Sequence, residues 1–362
     1  MSQRLNTIKI GIIGGGQLGQ MMALSAIEMG FEVVVLDPDQ ECPCVKVASH
    51  FICAPYHDIV ALSQLNEMCD VITYEFENVP IETLKETIDL KKCPQGFKAL
   101  EISQDRVLEK EFAKSLNIPT VEFFVIETHA DLNKVNATDD YILKTRRLGY
   151  DGKGQMAYKS HDRVELKHPS GYILEKKCRF DLEISIAITR FKDGCTFFEA
   201  STNHHKKGIL AYSINPTQNH RLSEKAQSYA LKLVEALDYI GVLVVEFFVQ
   251  GDELFFNEFA PRPHNSYHAS IEGYEFSQFD THILAITKQS KVDPHLLSPT
   301  LMVNVLGDNF EKALGFQYTN PYPSHIHIYG KKELRNGRKM AHLTYCADKP
   351  EELIQKWEDQ LC

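Results

Sequence analysis

Two carboxylates and an amide lie in an apolar setting that is costly for charged groups. Glu246 sits inside Gly241-Val-Leu-Val-Val-Glu-Phe-Phe-Val-Gln250, and Asn257-Glu258 close the next run, Glu253-Leu-Phe-Phe-Asn-Glu-Phe-Ala260. An ionised carboxylate among such residues needs a partner or a cation. Oxygen-only ligands suit Mg²⁺, which takes one or two carboxylates together with nucleotide phosphates. The plainer alternative is a salt-bridged strand face, ordinarily the more frequent case. The continuation Pro261-Arg262-Pro263-His264-Asn265-Ser266 favours a metal and a substrate. Gly251-Asp252 reads as a two-residue hairpin loop. Pairing outward from it sets Glu246 against Asn257 and turns Glu258 to the opposite face. A shared cation needs both acids on one face, so an odd loop or a bulge is expected between them.

Three further constellations bear on phosphates. Gly14-Gly15-Gly16-Gln17-Leu18-Gly19 follows a strand and opens a helix, and Asp37 ends the next strand at about the spacing of a ribose-binding acid. That pattern invites a dinucleotide; a tight turn needing small residues explains it as well. Lys144, then Gly149-Tyr150-Asp151-Gly152-Lys153-Gly154-Gln155, would make a flexible lid over phosphates or a solvated glycine turn. It lacks the Walker A pattern. Lys331-Lys332-Glu333-Leu334-Arg335-Asn336-Gly337-Arg338-Lys339 could grip a phosphate monoester or be plain surface charge. His264 and His268 have i,i+4 spacing without a third ligand, and they read as hydrogen-bonding residues. Ser266 has no nucleophile-elbow context, and no serine or cysteine triad is legible.

The elements that must carry these residues divide in two. Strand Ile8–Ile13, helix Gln17–Met29 and strand Phe31–Asp37 make a βαβ unit over a parallel sheet, and helix Ile59–Met68 and strand Val71–Phe76 continue it. A helix is expected over Ser103–Leu116 with Ser103 as its cap. Beyond Pro119 the pattern turns to strands: Val121–Ile126, Tyr141–Thr145, Gly171–Lys176, Leu182–Arg190 and Thr196–Ala200. An amphipathic helix Ser223–Asp238, a hairpin within Val242–Phe259, strands Met302–Leu306 and His325–Tyr329, and a last helix around Trp357 follow. The class is α/β and α+β. The 362 residues, 43% hydrophobic and 24% charged, are a globular composition. A net charge of −10 argues against general nucleic-acid binding. No apolar run approaches a membrane span, and Met1–Gly11 lacks the apolar core of a secretory signal. Nine scattered cysteines, Cys42 and Cys44 forming a lone CxC, read as free thiols in a reducing cytoplasm.

Taken together, these motifs resemble the ATP-grasp enzymes, and among them the N5-carboxyaminoimidazole ribonucleotide synthetases of purine biosynthesis. GGGQLG, TYEFENVP, LKTRRLGYDGKGQ, Glu175, NEFAPRPHNS and KKELRNGRKMAH stand in that family's order along nearly the whole chain. The resemblance implies a Rossmann-like pre-ATP-grasp domain (1–100), an ATP-grasp domain (101–298, lid about 119–180) and a small β-rich C-terminal domain (299–362). It implies that ATP lies between two antiparallel sheets, contacted by Arg106, Lys144, Gly149, Tyr150, Asp151, Gly152, Lys153, Gly154 and Gln155. Glu175, Lys176, Lys177 and Cys178 would match the adenine edge, Glu183 the ribose, and His205, Asn257 and Glu258 further nucleotide contacts. Glu246 and Glu258 would hold Mg²⁺, with Mn²⁺ as an alternative. The aminoimidazole ribonucleotide would meet Gly16, Gln17, Leu18 and Glu75, its phosphate gripped by Lys332, Arg335, Arg338 and Lys339. Arg262, His264 and Asn265 would bind bicarbonate or carboxyphosphate. Asp151, Arg262 and Lys332 form the implied catalytic set. The glycine-rich turn would then face the ribonucleotide and bind no NAD. A homodimer with product passing to the following mutase is also implied, with no nucleic-acid or membrane partner. Leu148 and Tyr267 stand where the family usually has glycine. The rivals are the formate-dependent phosphoribosylglycinamide transformylase, an NAD(P) oxidoreductase and a non-catalytic nucleotide-binding regulator. Asn265-Ser266 after Arg-Pro-His favours the carboxylase over the transformylase.

Overall fold

The computed structural model describes residues 7–135, 139–149, 154–159, 162, 164–168, 171–319, 323–355 and 357. Its N-terminal part alternates β1 (Lys9–Ile13), α1 (Gln17–Glu28), β2 (Glu32–Asp37), β3 (His50–Cys53), α2 (Ile59–Met68), β4 (Val71–Tyr74) and α3 (Ile81–Thr87). The four strands form a parallel sheet in the order β3-β2-β1-β4. Val33, Val34, Val35 and Leu36 are all fully buried, as an unbroken apolar strand covered on both faces must be. The helices α4 (Lys98–Ser103) and α5 (Arg106–Ser115) then lead away. A single helix over Ser103–Leu116 is therefore not what forms. Ser103 ends one helix, and Asp105 caps the next by accepting from the Val107 N–H at 3.0 Å. Arg146 holds the same carboxylate with two bonds, 3.1 and 2.8 Å. An aspartate serving a neighbouring N–H in non-helical geometry interrupts the helix at that point.

A four-stranded antiparallel sheet follows, with β5 (Phe123–Ile126), β6 (Asp140–Thr145), β7 (Gln155–Lys159) and β8 (Tyr172–Lys176) in the order β5-β8-β6-β7. The largest sheet starts with β9 (Leu182–Phe191), β10 (Gly194–Phe197), β11 (Ser201–Lys206) and β12 (Ile209–Asn215). Then come α6 (His220–Ala236), β13 (Gly241–Gln250), β14 (Glu253–Ala260), α7 (Ser270–Gly273) and α8 (Gln278–Ile286). The chain continues through β15 (Thr300–Leu306), α9 (Phe310–Thr319), β16 (His325–Ile328) and β17 (Lys339–Cys346). Strand order is β14-β13-β9-β11-β12-β15-β17-β16, with β10 on β9, so the C-terminal strands extend this same sheet. Helix α6 starts at Asn219, whose side chain accepts from Leu222 N, and buries Leu222, Ala226, Ala230, Leu233 and Val234 against β9 and β13. Near Trp357 a 3₁₀ turn, Pro350–Leu353, runs into helical residues, and the indole is buried beside Leu353.

The two-residue turn and the shared face for Glu246 and Glu258 are both realised. Gln250 pairs with Glu253 and Phe247 with Phe256; a bulge then absorbs Asn257, so Glu246 stands opposite Glu258. The hairpin β11–β12, strands β3, β7 and β17, and helices α3, α8 and α9 carry no strong periodic signal and were not anticipated. Helix α8 had a local marker all the same, a capping box between Ser277 and Asp280. No helix among the described residues is long and apolar enough to cross a membrane.

Candidate active site

One cavity of about 800 Å³ opens where the parallel sheet, the hairpin β13–β14 and the C-terminal basic run meet. Gln17 and Leu18 line it from the start of α1, Glu75 from the end of β4, Arg106 from α5, Gly149 from the loop after β6, and Glu246 and Glu258 from the hairpin. Arg262, His264, Asn265, Arg335, Arg338 and Lys339 complete the wall among the residues expected to do chemistry. Residues more than three hundred positions apart thus share one space. Tyr150, Asp151, Gly152 and Lys153 lie outside the described residues. Gly154 takes φ +73°, and Leu148 takes φ +63° with its side chain largely in solvent. Tyr267, by contrast, needs no left-handed backbone. It lies in a buried 3₁₀ turn, and its hydroxyl donates to the carbonyls of Ser185 and Glu199, each at 2.9 Å.

The start of α1 explains the glycine motif without a dinucleotide. Gly16 N–H and Gly19 N–H donate to the two oxygens of Glu75 at 2.5 and 2.7 Å. Gly15 N–H donates to Asp37, which also accepts from the Tyr56 hydroxyl at 2.6 Å. The donors that would cradle a pyrophosphate are taken by the chain's own carboxylates, and so is the acid that would bind a ribose. A Cβ on Gly14 would stand 2.3 Å from Glu75 Cγ, so glycine serves this close approach. Burial raises the Glu75 carboxyl above its ordinary range, against the two N–H groups that favour the ion.

On the lid side, Lys144 donates to Glu175 at 2.7 Å, and Lys110 reaches the other oxygen of Glu175 at 3.5 Å. Burial opposes ionisation of Glu175, but Lys110 and then Lys144 overcome it and hold the carboxyl at about 2. Arg106 pairs with Glu258 at 2.9 Å and donates to the Gly149 carbonyl at 3.3 Å. Glu183 meets His205 at 3.2 Å beside a bulge in β11; burial disfavours the imidazolium, yet Glu183 and Glu246 raise its proton affinity overall. Lys176, Lys177 and Cys178 line a second cavity of about 530 Å³ with Thr120, Gln250 and Phe255. Gln155 opens β7, opposite Lys144.

Glu246 carries the feature that best fits a cation. Its Oε1 is buried without a hydrogen-bond partner, the nearest ring nitrogen being His264 Nδ1 at 3.7 Å. Burial above all, with Glu258 and Glu183 nearby, lifts its carboxyl to about 7 although His205 pulls the other way. Glu258 moves down, because Arg106 and Lys144 outweigh its burial. Among the described residues no group of three or more His, Cys, Asp or Glu is arranged to hold a metal. Two opposed carboxylates, one with an orphaned oxygen, nonetheless fit the sparse protein ligation of Mg²⁺.

Arg262 pairs with Glu77 at 2.5 Å, and its Nε, also buried, has no partner. His264 Nδ1 lies 3.0 Å from Ser266 Oγ, and burial, with Arg262 and Lys339 nearby, holds the ring well below its ordinary range and neutral. Asn265 and Asn304 exchange two side-chain hydrogen bonds, 3.0 and 2.7 Å. Lys332 stands apart: it is not among the cavity's lining residues, and its ammonium pairs with Glu41 in an exposed contact. Lys331 lines the cavity instead and donates to the Lys339 carbonyl at 2.9 Å. Lys110, Glu109 and Asn304 escaped sequence reasoning, whereas Lys331 belongs to the basic run and Glu77 stands within TYEFENVP without a role of its own there. Of the first three, Lys110 and Glu109 had a signal, being polar residues one turn after Arg106 on the same helix face.

Residues 7–104 match the ribonucleotide synthetase preATP-grasp domain, 111–279 the ATP-grasp domain and 300–356 the phosphoribosylaminoimidazole carboxylase C-terminal domain. The N5-carboxyaminoimidazole ribonucleotide synthase of Staphylococcus aureus (strain COL) is 44% identical over 344 residues, 92% of this chain and 91% of that one. The crystal structure of N5-carboxyaminoimidazole synthetase from Staphylococcus aureus complexed with ADP superposes with a TM-score of 0.93 at 40% identity, covering 100% and 99% of the two chains. The Aspergillus clavatus synthase in complex with ADP and 5-aminoimidazole ribonucleotide superposes with a TM-score of 0.87 at 28% identity, covering 98% and 99%. The chain therefore belongs to the N5-carboxyaminoimidazole ribonucleotide synthase family of ATP-grasp enzymes.

Proposed function

We propose that this enzyme carries out the ATP-dependent conversion of 5-aminoimidazole ribonucleotide to N5-carboxyaminoimidazole ribonucleotide through carboxyphosphate made from bicarbonate. The observation that carries the reading is the single cavity in which paired carboxylates, Arg106, Arg262 and a basic C-terminal cluster converge. Bicarbonate is a poor electrophile. Its oxygen attacks the γ-phosphorus of ATP, the bond to the β-bridging oxygen breaks, and ADP leaves. Arg106 and Lys144 stabilise the charge spread over the transferring group. Glu246 and Glu258 would hold Mg²⁺, which supplies charge neutralisation at the phosphates. Carboxyphosphate breaks down to CO₂ and phosphate away from bulk water. Arg262 and a neutral His264 orient the carboxylate end. The amine of the ribonucleotide attacks CO₂, and Asp151 takes the proton it loses. Arg335, Arg338 and Lys339 bind the ribonucleotide phosphate as charged donors.

The family resemblance further supports a homodimer that passes its labile product to the next enzyme. The decisive experiment is ADP release with and without bicarbonate, formate and aminoimidazole ribonucleotide. The expected result is a requirement for bicarbonate, stimulation by the ribonucleotide and no response to NAD. Turnover with formate in place of bicarbonate would refute the reading in favour of the transformylase. Tight NAD binding without ATP turnover would refute it outright.

A further inference from the structure

Arg106 and Lys110 lie one turn apart on α5, on the face turned to the site. Lys110 is a fully buried lysine, 1% exposed. Its ammonium sits 3.5 Å from Glu175 Oε1 and donates to the carbonyl of Asn257 at 3.3 Å. Asn257 is the bulged residue that sets Glu258 opposite Glu246. One side chain therefore joins the lid strand β8 to the bulge of the hairpin. On its other oxygen Glu175 holds Lys144, the lysine assigned to a phosphate of ATP. A buried carboxylate stripped of every cation is strongly unfavourable. Lys144 can move to a phosphate only if Glu175 keeps a second positive partner; among the described residues Lys110 is the other cation paired with it, Arg106 acting on it without an ion pair.

We propose that Lys110 is a positioning residue for the ATP step: it stays on Glu175 and on the Asn257 carbonyl, freeing Lys144 to exchange Glu175 for a nucleotide phosphate. The inference rests on the reading above that Lys144 contacts ATP.

Two experiments test it. The first is a crystal structure of the unaltered chain with Mg²⁺ and a non-hydrolysable ATP analogue. Lys144 should stand more than about 4 Å from Glu175 while Lys110 remains within ion-pair reach. Lys144 still on Glu175, or Lys110 detached from it, overturns the proposal. The second compares Lys110→Met with the charge-conserving Lys110→Arg. Lys110→Met should raise KM for ATP by roughly 10- to 100-fold, the scale of a charged hydrogen bond. KM for the ribonucleotide should change by less than about twofold, as for an independent site. Lys110→Arg keeps a positive partner on Glu175 and should retain most of the parent's affinity for ATP. An equal rise in both KM values, or a Lys110→Arg variant as impaired as Lys110→Met, overturns the proposal. Should Lys110→Met fail to fold, the crystal structure decides. Failure of the underlying reading looks different, since the unaltered chain would then neither bind the analogue nor release ADP.

Discussion

At the residue scale, the same side-chain types carry opposite roles according to what surrounds them. Glu75 caps α1 and removes the phosphate cradle, whereas Glu246, with an unpartnered oxygen, is suited to a cation. Asp151 is the proposed proton acceptor, so Asp151→Asn should lose carboxylation by roughly 10²–10⁴-fold while ATP still binds. Comparing product formation with calorimetric ATP binding checks this, and near-normal product formation would reduce Asp151 to a loop residue. The basic run separates on its geometry. Arg338 lines the cavity, and Lys332 pairs with Glu41 outside it. Arg338→Ala should raise KM for the ribonucleotide by roughly 10- to 100-fold with little change for ATP. Lys332→Ala should change it by less than about threefold, the worth of an exposed ion pair. Equal effects of the two variants would contradict this division. Sequence motifs brought Lys144, Glu246 and Glu258 to notice, and the family resemblance Arg106. Glu77 lies within TYEFENVP, but its pairing with Arg262 was not legible, because the two are far apart in the chain and no local pattern marks the pair.

Elements set these side chains in place through departures from regularity. The bulge at Asn257 turns Glu258 toward Glu246, and the break at Asp105 starts α5 where Arg106 can reach the hairpin. Asp105 is 2% exposed and serves Val107 N–H, Arg146 and Arg147 together. Asp105→Ala should cost about 2.5–4 kcal/mol, adding a lost cap of about 1 to a lost charged hydrogen bond of about 1.5–3. Asp105→Asn keeps the cap and should cost less. Urea denaturation of the full chain measures both, and a harmless Asp105→Ala would mean that α5 is positioned by packing alone. The need for a bulge was legible because period-two alternation and a two-residue turn conflict with two acids on one face. The helix break was not, because Ser103 and Asp105 are both good caps and it is Arg146 and Arg147, just past β6, that favour the second.

For the whole molecule, the charge economy of the cavity makes stability depend on pH. Glu246 ionises near 7 in the fold against an ordinary 4.5, so between those values the folded chain binds more protons than the unfolded one. Its contribution is fully present below about pH 4.5 and is lost as pH rises through about 7, on the order of 3 kcal/mol. Glu246→Gln should remove that decline, so the variant gains on the parent between pH 5 and pH 8 in thermal unfolding. If Glu246 holds Mg²⁺ as proposed, Mg²⁺ with an ATP analogue binds the ionised form and should raise the parent's Tm more at pH 8 than at pH 6. Parallel pH curves for parent and variant would mean that Glu246 titrates normally and lacks the proposed role.

What the amino-acid sequence by itself determined are the features that local chemistry enforces. The βαβ start follows from an unbroken apolar strand, a glycine turn and a periodic helix. The hairpin follows from Gly251-Asp252 between two apolar runs, and the family follows from motifs kept in order. Tertiary structure alone decided what those motifs face. Glycine-rich spacing cannot reveal that Glu75 fills the α1 N-terminus, nor can a run of basic residues show which of them turn inward. The C-terminal strands join the main sheet through β12–β15 pairing, and Lys110 finds Glu175 and Asn257 across three elements. Spacing along the chain encodes periodicity and turn chemistry. Long-range partners are chosen by burial, which requires each charged group to find its counter-charge wherever the packing brings one.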